Sequence, residues 1–154
     1  MVFLKANKAE GSFLGRGTHV WLEIKNEKVG KVTFSGAKSG LLLHVYRDYK
    51  RDYDRGHDRG ILEVKPPDTM TSEEWDEAVI SAACVVQEEV HGNFAFNGFF
   101  PWGKTQDGIL RSNCCVVARK IITKAGGVLP NGRIKGVLPG LGRGVVDYLG
   151  LAFV

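Results

Sequence analysis

The chain has 154 residues, enough for one domain with a sizeable hydrophobic core. Its 44% apolar and 25% charged content excludes a disordered or fibrous polymer, and no apolar run reaches the roughly 20 residues that span a bilayer. A net charge of +4 favours an anionic surface without selecting among wall polymer, nucleic acid and lipid headgroups.

The segment before His19 carries Gly11, Gly15 and Gly17 and reads as a loop feeding a strand. From His19 to Lys25 the residues alternate, with His19, Trp21 and Glu23 on one face and Val20, Leu22 and Ile24 on the other. Asn26-Glu27-Lys28 is a turn into a second strand, Val29 to Phe34. Gly36 to Gly40 interrupts the pattern before a third strand from Leu41 to Tyr46. Tyr46 to Gly60 holds five basic and four acidic side chains and is expected to be a solvated loop or hairpin. Its interleaved aspartates argue against phosphate contact, so no nucleic-acid partner is expected. Ile61 to Val64 makes a fourth short strand, ended by Pro66-Pro67.

Thr71-Ser72-Glu73-Glu74 has the form of a capping box. The helix that follows aligns Trp75, Val79, Ala82, Val86 and Val90 on one core-facing stripe, with Cys84 inside it as packing. His91 to Gly108 is an aromatic loop with Phe94, Phe96, Phe99, Phe100 and Trp102, placed to shape a cleft or cover the core. Ser112-Asn113-Cys114-Cys115 then opens an apolar helix that stops at Gly126-Gly127. A glycine-rich tail with Pro130 and Pro139 ends in the apolar stretch from Val145 to Val154. The chain therefore reads as a single domain: a strand region over 17–64 that contains His19, a helix over 71–91, the cysteine helix over 112–126 and the tail over 127–154.

Three cysteines are too few for a disulfide framework, and none has the paired spacing of a zinc site. Position distinguishes Cys114. Ser112 or Asn113 is a natural N-cap, so the thiol falls in the first turn, where the positive end of the helix dipole favours thiolate. A thiolate nucleophile needs an imidazole, and His19 is the candidate. The backbone N–H of Cys114 is a candidate oxyanion donor, with Asn113 and Cys115 as support. Three side chains compete to orient the imidazole. His44 lies on the third strand, Ser35 beside Thr33 on the neighbouring strand, and Glu23 on the same face as His19 but about 13 Å along it.

His19 in Gly-Thr-His-Val-Trp-Leu-Glu-Ile, followed 95 residues later by Cys114 in Ser-Asn-Cys-Cys-Val-Val-Ala, resembles the circularly permuted papain-like hydrolases. That group includes the permuted NlpC-type peptidases and amidases and the lecithin retinol acyltransferase-like enzymes. The helix ending in glycine and the Pro/Gly-rich tail through Leu138-Pro139-Gly140 are similar to versions found in type VI secretion effectors and polymorphic toxins. In the family pattern the strand after the histidine supplies the third catalytic residue, but here Lys31 and Thr33 occupy it, and Cys115 leaves the identity of the reactive thiol open.

The resemblance implies an α+β, permuted papain-like fold, with a small antiparallel sheet packed against the nucleophile-bearing helix and a second helix. It also implies a cysteine amidase or peptidase without metal or organic cofactor. The expected substrate is a peptide, plausibly of peptidoglycan, and an immunity protein would be the partner of a toxic effector. The alternatives are a lipid or thioester acyltransferase on the same site and a non-catalytic binding module. Met1 to Lys5 lacks the apolar run of a secretory signal, so the expectation is synthesis in a bacterial cytoplasm and export by another route.

Overall fold

In the computed structural model, residues 1–10 and 17–149 are described. The sheet is larger than the sequence suggests. Its strands are β1 (Val2–Lys8), β2 (Thr18–Asn26), β3 (Gly30–Ser39), β4 (Leu42–Arg47), β5 (Gly60–Val64), β6 (Ala95–Phe96) and β7 (Arg111–Ser112), in the order β5-β1-β2-β3-β4-β6-β7. Neighbours are antiparallel except β6 and β7, which run parallel. This mixed, seven-stranded half-barrel overturns the expected α+β permuted papain-like fold with its small antiparallel sheet.

Two features enlarge the sheet. The first is β1, in a stretch expected to be loop. Val2, Leu4 and Ala6 are buried, while Phe3 and Lys5 alternate with them, and β1 joins β2 to β5. The second is β3, which runs straight through the expected break at Gly36 and turns only at Gly40, where φ is +64°. The glycine-rich segment over 11–16 and the end of the apolar tail, 150–154, lie outside the described residues.

The helices are α1 (Lys50–Arg55), α2 (Ser72–Val90), α3 (Cys114–Lys124) and the short α4 (Val146–Leu149). Thr71 caps α2 as the capping box requires, its side chain accepting from the backbone N–H of Glu74. The stripe of Trp75, Val79, Ala82, Val86 and Val90 is buried throughout. The indole of Trp75 donates to the Val64 carbonyl at 2.9 Å, which ties α2 to β5. Cys84, expected in packing, is exposed. Helices α2 and α3 pack together and against β2, α2 also reaching β4 and α3 reaching β3. Val20, Leu22, Ile24, Phe34, Leu43, Ile121 and Ile122 form the centre of that core. Among the described residues, no helix is long and apolar enough to cross a membrane.

The strands leave one opening, and it positions the site. β2 and β3 are paired from Asn26 and Gly30 to Leu22 and Phe34. Beyond that point β2 stays with β1, β3 stays with β4, and the two strands part. The first turn of α3 sits at this fork. A Cβ on Gly36 would lie 2.8 Å from Val117 Cγ2 and 3.2 Å from the Cys114 Cα, so only glycine admits the helix so close. Gly36→Ala should therefore destabilise the protein by about 1–3 kcal/mol, as overpacking does, and displace Cys114. Denaturant unfolding, with Cys114 alkylation followed in parallel, measures both effects.

Candidate active site

Asn113 sets the start of α3. Its Oδ1 accepts from the Val116 N–H at 3.0 Å, the N-cap that the sequence offered to either Ser112 or Asn113. The amide nitrogen of the same side chain donates to the Gly98 and Pro139 carbonyls, at 2.9 Å each. One side chain thus joins the aromatic loop, the Pro/Gly-rich tail and the cysteine helix. The tail is held against β2 as well, through the Thr18 hydroxyl donating to the Lys135 carbonyl at 2.7 Å and a bridge between Gly17 and Val137.

Cys114 is buried at the fork, its Sγ 3.9 Å from the Thr18 carbonyl. His19 projects from the opposite face of β2 to Val20 and meets the thiol through the gap between the strands. Its Nε2 lies 2.9 Å from Asp52 Oδ1, which leaves Nδ1 for the thiol. The Asp52 side chain is wholly buried and that of His19 is 15% exposed. Trp21 stacks on the imidazole at 5.8 Å between centroids and limits its rotation.

Asp52 is a candidate site residue that the sequence does not single out: it lies in a run expected to be solvated, and the structure instead places it on α1, in the first turn. Asp48 anchors that helix. Its Oδ1 accepts from the Thr33 N–H and the Tyr53 hydroxyl, and its own N–H donates to the Thr33 carbonyl. No local spacing marks Asp52: Tyr46 lies in β4, Tyr49 is the N-cap of α1, and within the short helix Asp52 is buried while the adjacent Tyr53 is exposed.

The other candidates are elsewhere. His44 packs edge-on against His91 at 4.5 Å and stacks on Tyr46, away from His19. Glu23 pairs with Lys5 at 2.9 Å. Ser35 is buried, and its hydroxyl, like that of Thr33 and like Asp52 Oδ2, has no hydrogen-bond partner among the described residues. Cys115 is buried beside Cys114 in the first turn.

The electrostatics separate the two thiols. Cys114 is held well below the usual thiol range. The Cys115 thiol donating to it is the largest cause, and His19 adds both a hydrogen bond and its charge, together outweighing burial. Cys115 is pushed well above that range by the same contact and by burial. Burial by itself would lower His19, yet the hydrogen bonds to Asp52 and Cys114 and their charges raise it to about 9. The folded chain therefore binds the His19 proton more tightly than the unfolded chain does. The resulting stabilisation is complete below about 6.5 and is lost as the pH rises through about 9.

A cleft of about 400 Å³ opens onto Cys114 and His19. Phe96, Phe99, Val137 and Pro139 form an apolar wall, and Lys38, Arg51 and Glu10 a charged rim. By helix geometry the N–H groups of Cys114 and Cys115 have no partner within α3, so they are candidate oxyanion donors. Among the described residues no cluster of three or more His, Cys, Asp or Glu side chains is placed to hold a metal. Comparison with family models, curated proteins and solved structures finds no match.

Iodoacetamide should alkylate Cys114 far faster than Cys115 at neutral pH, with an apparent pKa below the free-thiol value of about 8.5. Asp52→Asn removes the anion behind His19 and should move that apparent pKa up. Site-resolved mass spectrometry across a pH series reads both. Asn113→Ala should cost about 2 kcal/mol in denaturant unfolding, because it removes a cap and takes the donor from the buried Pro139 carbonyl and the half-buried Gly98 carbonyl.

Proposed function

We propose that the protein is a cysteine-dependent amide hydrolase, with Cys114 as nucleophile, His19 as general acid and base, and Asp52 as the residue that orients His19. The observation that carries this reading is the His19 imidazole, hydrogen-bonded to a buried carboxylate at 2.9 Å and interacting with a thiol at a helix start. The resemblance of the two motifs implies the same chemistry, which here rests on geometry rather than on a shared sheet.

The Cys114 thiolate attacks the carbonyl carbon, and the carbonyl electrons move to oxygen facing the free N–H groups of the first turn. As the tetrahedral intermediate collapses, the carbon–nitrogen bond breaks and imidazolium His19 gives its proton to the departing amine. A water then loses a proton to His19 and attacks the thioester. The acid leaves, and the thiolate–imidazolium pair is restored. Asp52 keeps Nε2–H fixed and stabilises imidazolium without itself taking the proton.

Peptidoglycan cross-peptides are the substrates we propose to screen first, because a net charge of +4 suits an anionic wall. An exported bacterial effector with a cognate immunity protein is the setting that goes with them. The apolar wall of Phe96, Phe99, Val137 and Pro139 favours a second reading, acyl transfer from a lipid or thioester through the same thiol.

Purified wall peptides and labelled phospholipid decide between the two readings. The first predicts a new amine terminus, and the second an acyl mass on Cys114. In either case Cys114→Ala should lower turnover at least about a thousandfold, while Cys115→Ala keeps the nucleophile. Asp52→Asn should cost on the order of 10²–10⁴ in kcat. Activity should rise with ionisation of Cys114 and fall as the pH passes about 9, where His19 loses its proton. A folded Cys114→Ala variant with unchanged turnover would rule the thiol out, whereas wild-type protein without turnover on either substrate and with a Cys114 of ordinary thiol reactivity would leave a binding module.

A further inference from the structure

The aromatic loop, expected to shape a cleft or cover the core, covers the core only in part. Phe94, Phe96 and Phe99 are half-buried, but Phe100 is 66% and Trp102 49% exposed. This exposure is built into the fold. Asn97 Oδ1 accepts from the N–H groups of both Phe99 and Phe100, and Asn113 holds the Gly98 carbonyl, so the loop presents Phe100 on a fixed backbone.

The same end of the sheet presents more apolar side chains. Leu41, 88% exposed in the β3–β4 turn, accepts at its carbonyl from the Phe96 N–H at 3.0 Å. Leu110, also exposed, accepts at its carbonyl from the Ala95 N–H at 2.8 Å. The segment before it folds back on the loop through the Lys104–Leu110 bridge and the hydrogen bond from the Arg111 N–H to the Gly103 carbonyl. Leu41, Phe100, Trp102 and Leu110 therefore belong to one edge, bordering the cleft wall formed by Phe96 and Phe99.

The charges along this edge are mostly basic. Lys104 and Arg111 flank Trp102 and Leu110 along the chain, with Asp107 the one acid in the connecting turn, and Lys38 lines the adjoining cleft, where Glu10 is paired with Arg51 and Arg55. Exposed Trp, Phe and Leu interspersed with lysine and arginine are the composition of a surface that seats at a headgroup boundary, with rings in the acyl margin and cations on lipid phosphates.

We propose that this edge is a docking surface for an anionic lipid bilayer, which brings the mouth of the cleft against the membrane. Docking of this kind is independent of which carbonyl Cys114 attacks.

The full chain is sedimented with vesicles of phosphatidylcholine containing 30% phosphatidylglycerol, and with vesicles of phosphatidylcholine alone. The wild-type protein should partition at least tenfold more strongly onto the anionic vesicles, and its tryptophan emission should shift to the blue as Trp102 leaves water. Phe100→Ser/Trp102→Ser should lose at least tenfold of that binding, and Lys104→Glu, outside the cleft, should lower the preference for the anionic lipid severalfold. Cys114 alkylation in each variant reports that the fold and the thiol site are intact, so failure of docking is distinguishable from failure of the catalytic reading. Wild-type protein left in the supernatant with anionic vesicles overturns the proposal. So does binding that the Phe100/Trp102 substitutions leave unchanged, since that would be adhesion by net charge alone. An edge that instead buries itself against a protein would also leave the wild type in the supernatant.

Discussion

The molecule depends on how closely the first turn of α3 approaches β3. At Gly36 the sheet backbone comes within van der Waals distance of Val117 and the Cα of Cys114, and no side chain of its own stands between them. Because β2 and β3 have already parted there, the same turn also reaches Thr18 and His19 on the other strand. A helix lying flat on a continuous sheet would put Cys114 and His19 on opposite sides of it. The fork allows residues from two faces of one sheet to meet, and the core face contributes the seating through Val117, Ile121 and Ile122.

Three ionisable groups then share a small buried volume: a carboxylate, an imidazole and a thiol. With imidazolium and thiolate formed, the net charge of the trio is −1, and burial opposes that. The positive end of α3 points at the thiolate and offsets part of the cost, about 0.3–1 kcal/mol at an exposed helix end and up to ~2 in partly buried geometry. Raising His19 to about 9 against its own desolvation shows that the partners outweigh the burial. Asp52 keeps one buried oxygen without a partner among the described residues, so its whole hydrogen-bonding effort toward a side chain is directed at His19.

What the sequence disclosed follows from the range of each signal. Asn113 and Thr71 were legible as caps because a cap is a local event, satisfied within three residues. The stripe on α2 was legible because helical spacing repeats from Trp75 to Val90, about four turns. Cys114 and His19 could be named from those local frames. Asp52 could not, because its hydrogen bond to His19 joins residues 33 positions apart, in a run whose mixed charge looks solvated. The sheet was underestimated for a similar reason. β6 and β7 have two residues each and no periodicity to read, and β1 gains its place only by pairing on both sides with distant strands. Gly36 looked like a strand break because glycine usually is one; here it marks a close approach.

The two adjacent thiols also govern how the site meets oxidants. Neighbouring Cα atoms are about 3.8 Å apart across a trans peptide, shorter than the roughly 4.4 Å minimum of a disulfide. Cys115 therefore cannot close a ring with Cys114 while α3 is wound, and Cys84 lies exposed on another helix. A sulfenic acid formed on Cys114 would have no thiol of its own chain poised to resolve it. Repair would fall to a small thiol small enough to enter the cleft, and in its absence oxidation would run on to the irreversible acids. The lifetime of the reduced Cys114 thiol would then be set by the redox poise of its surroundings.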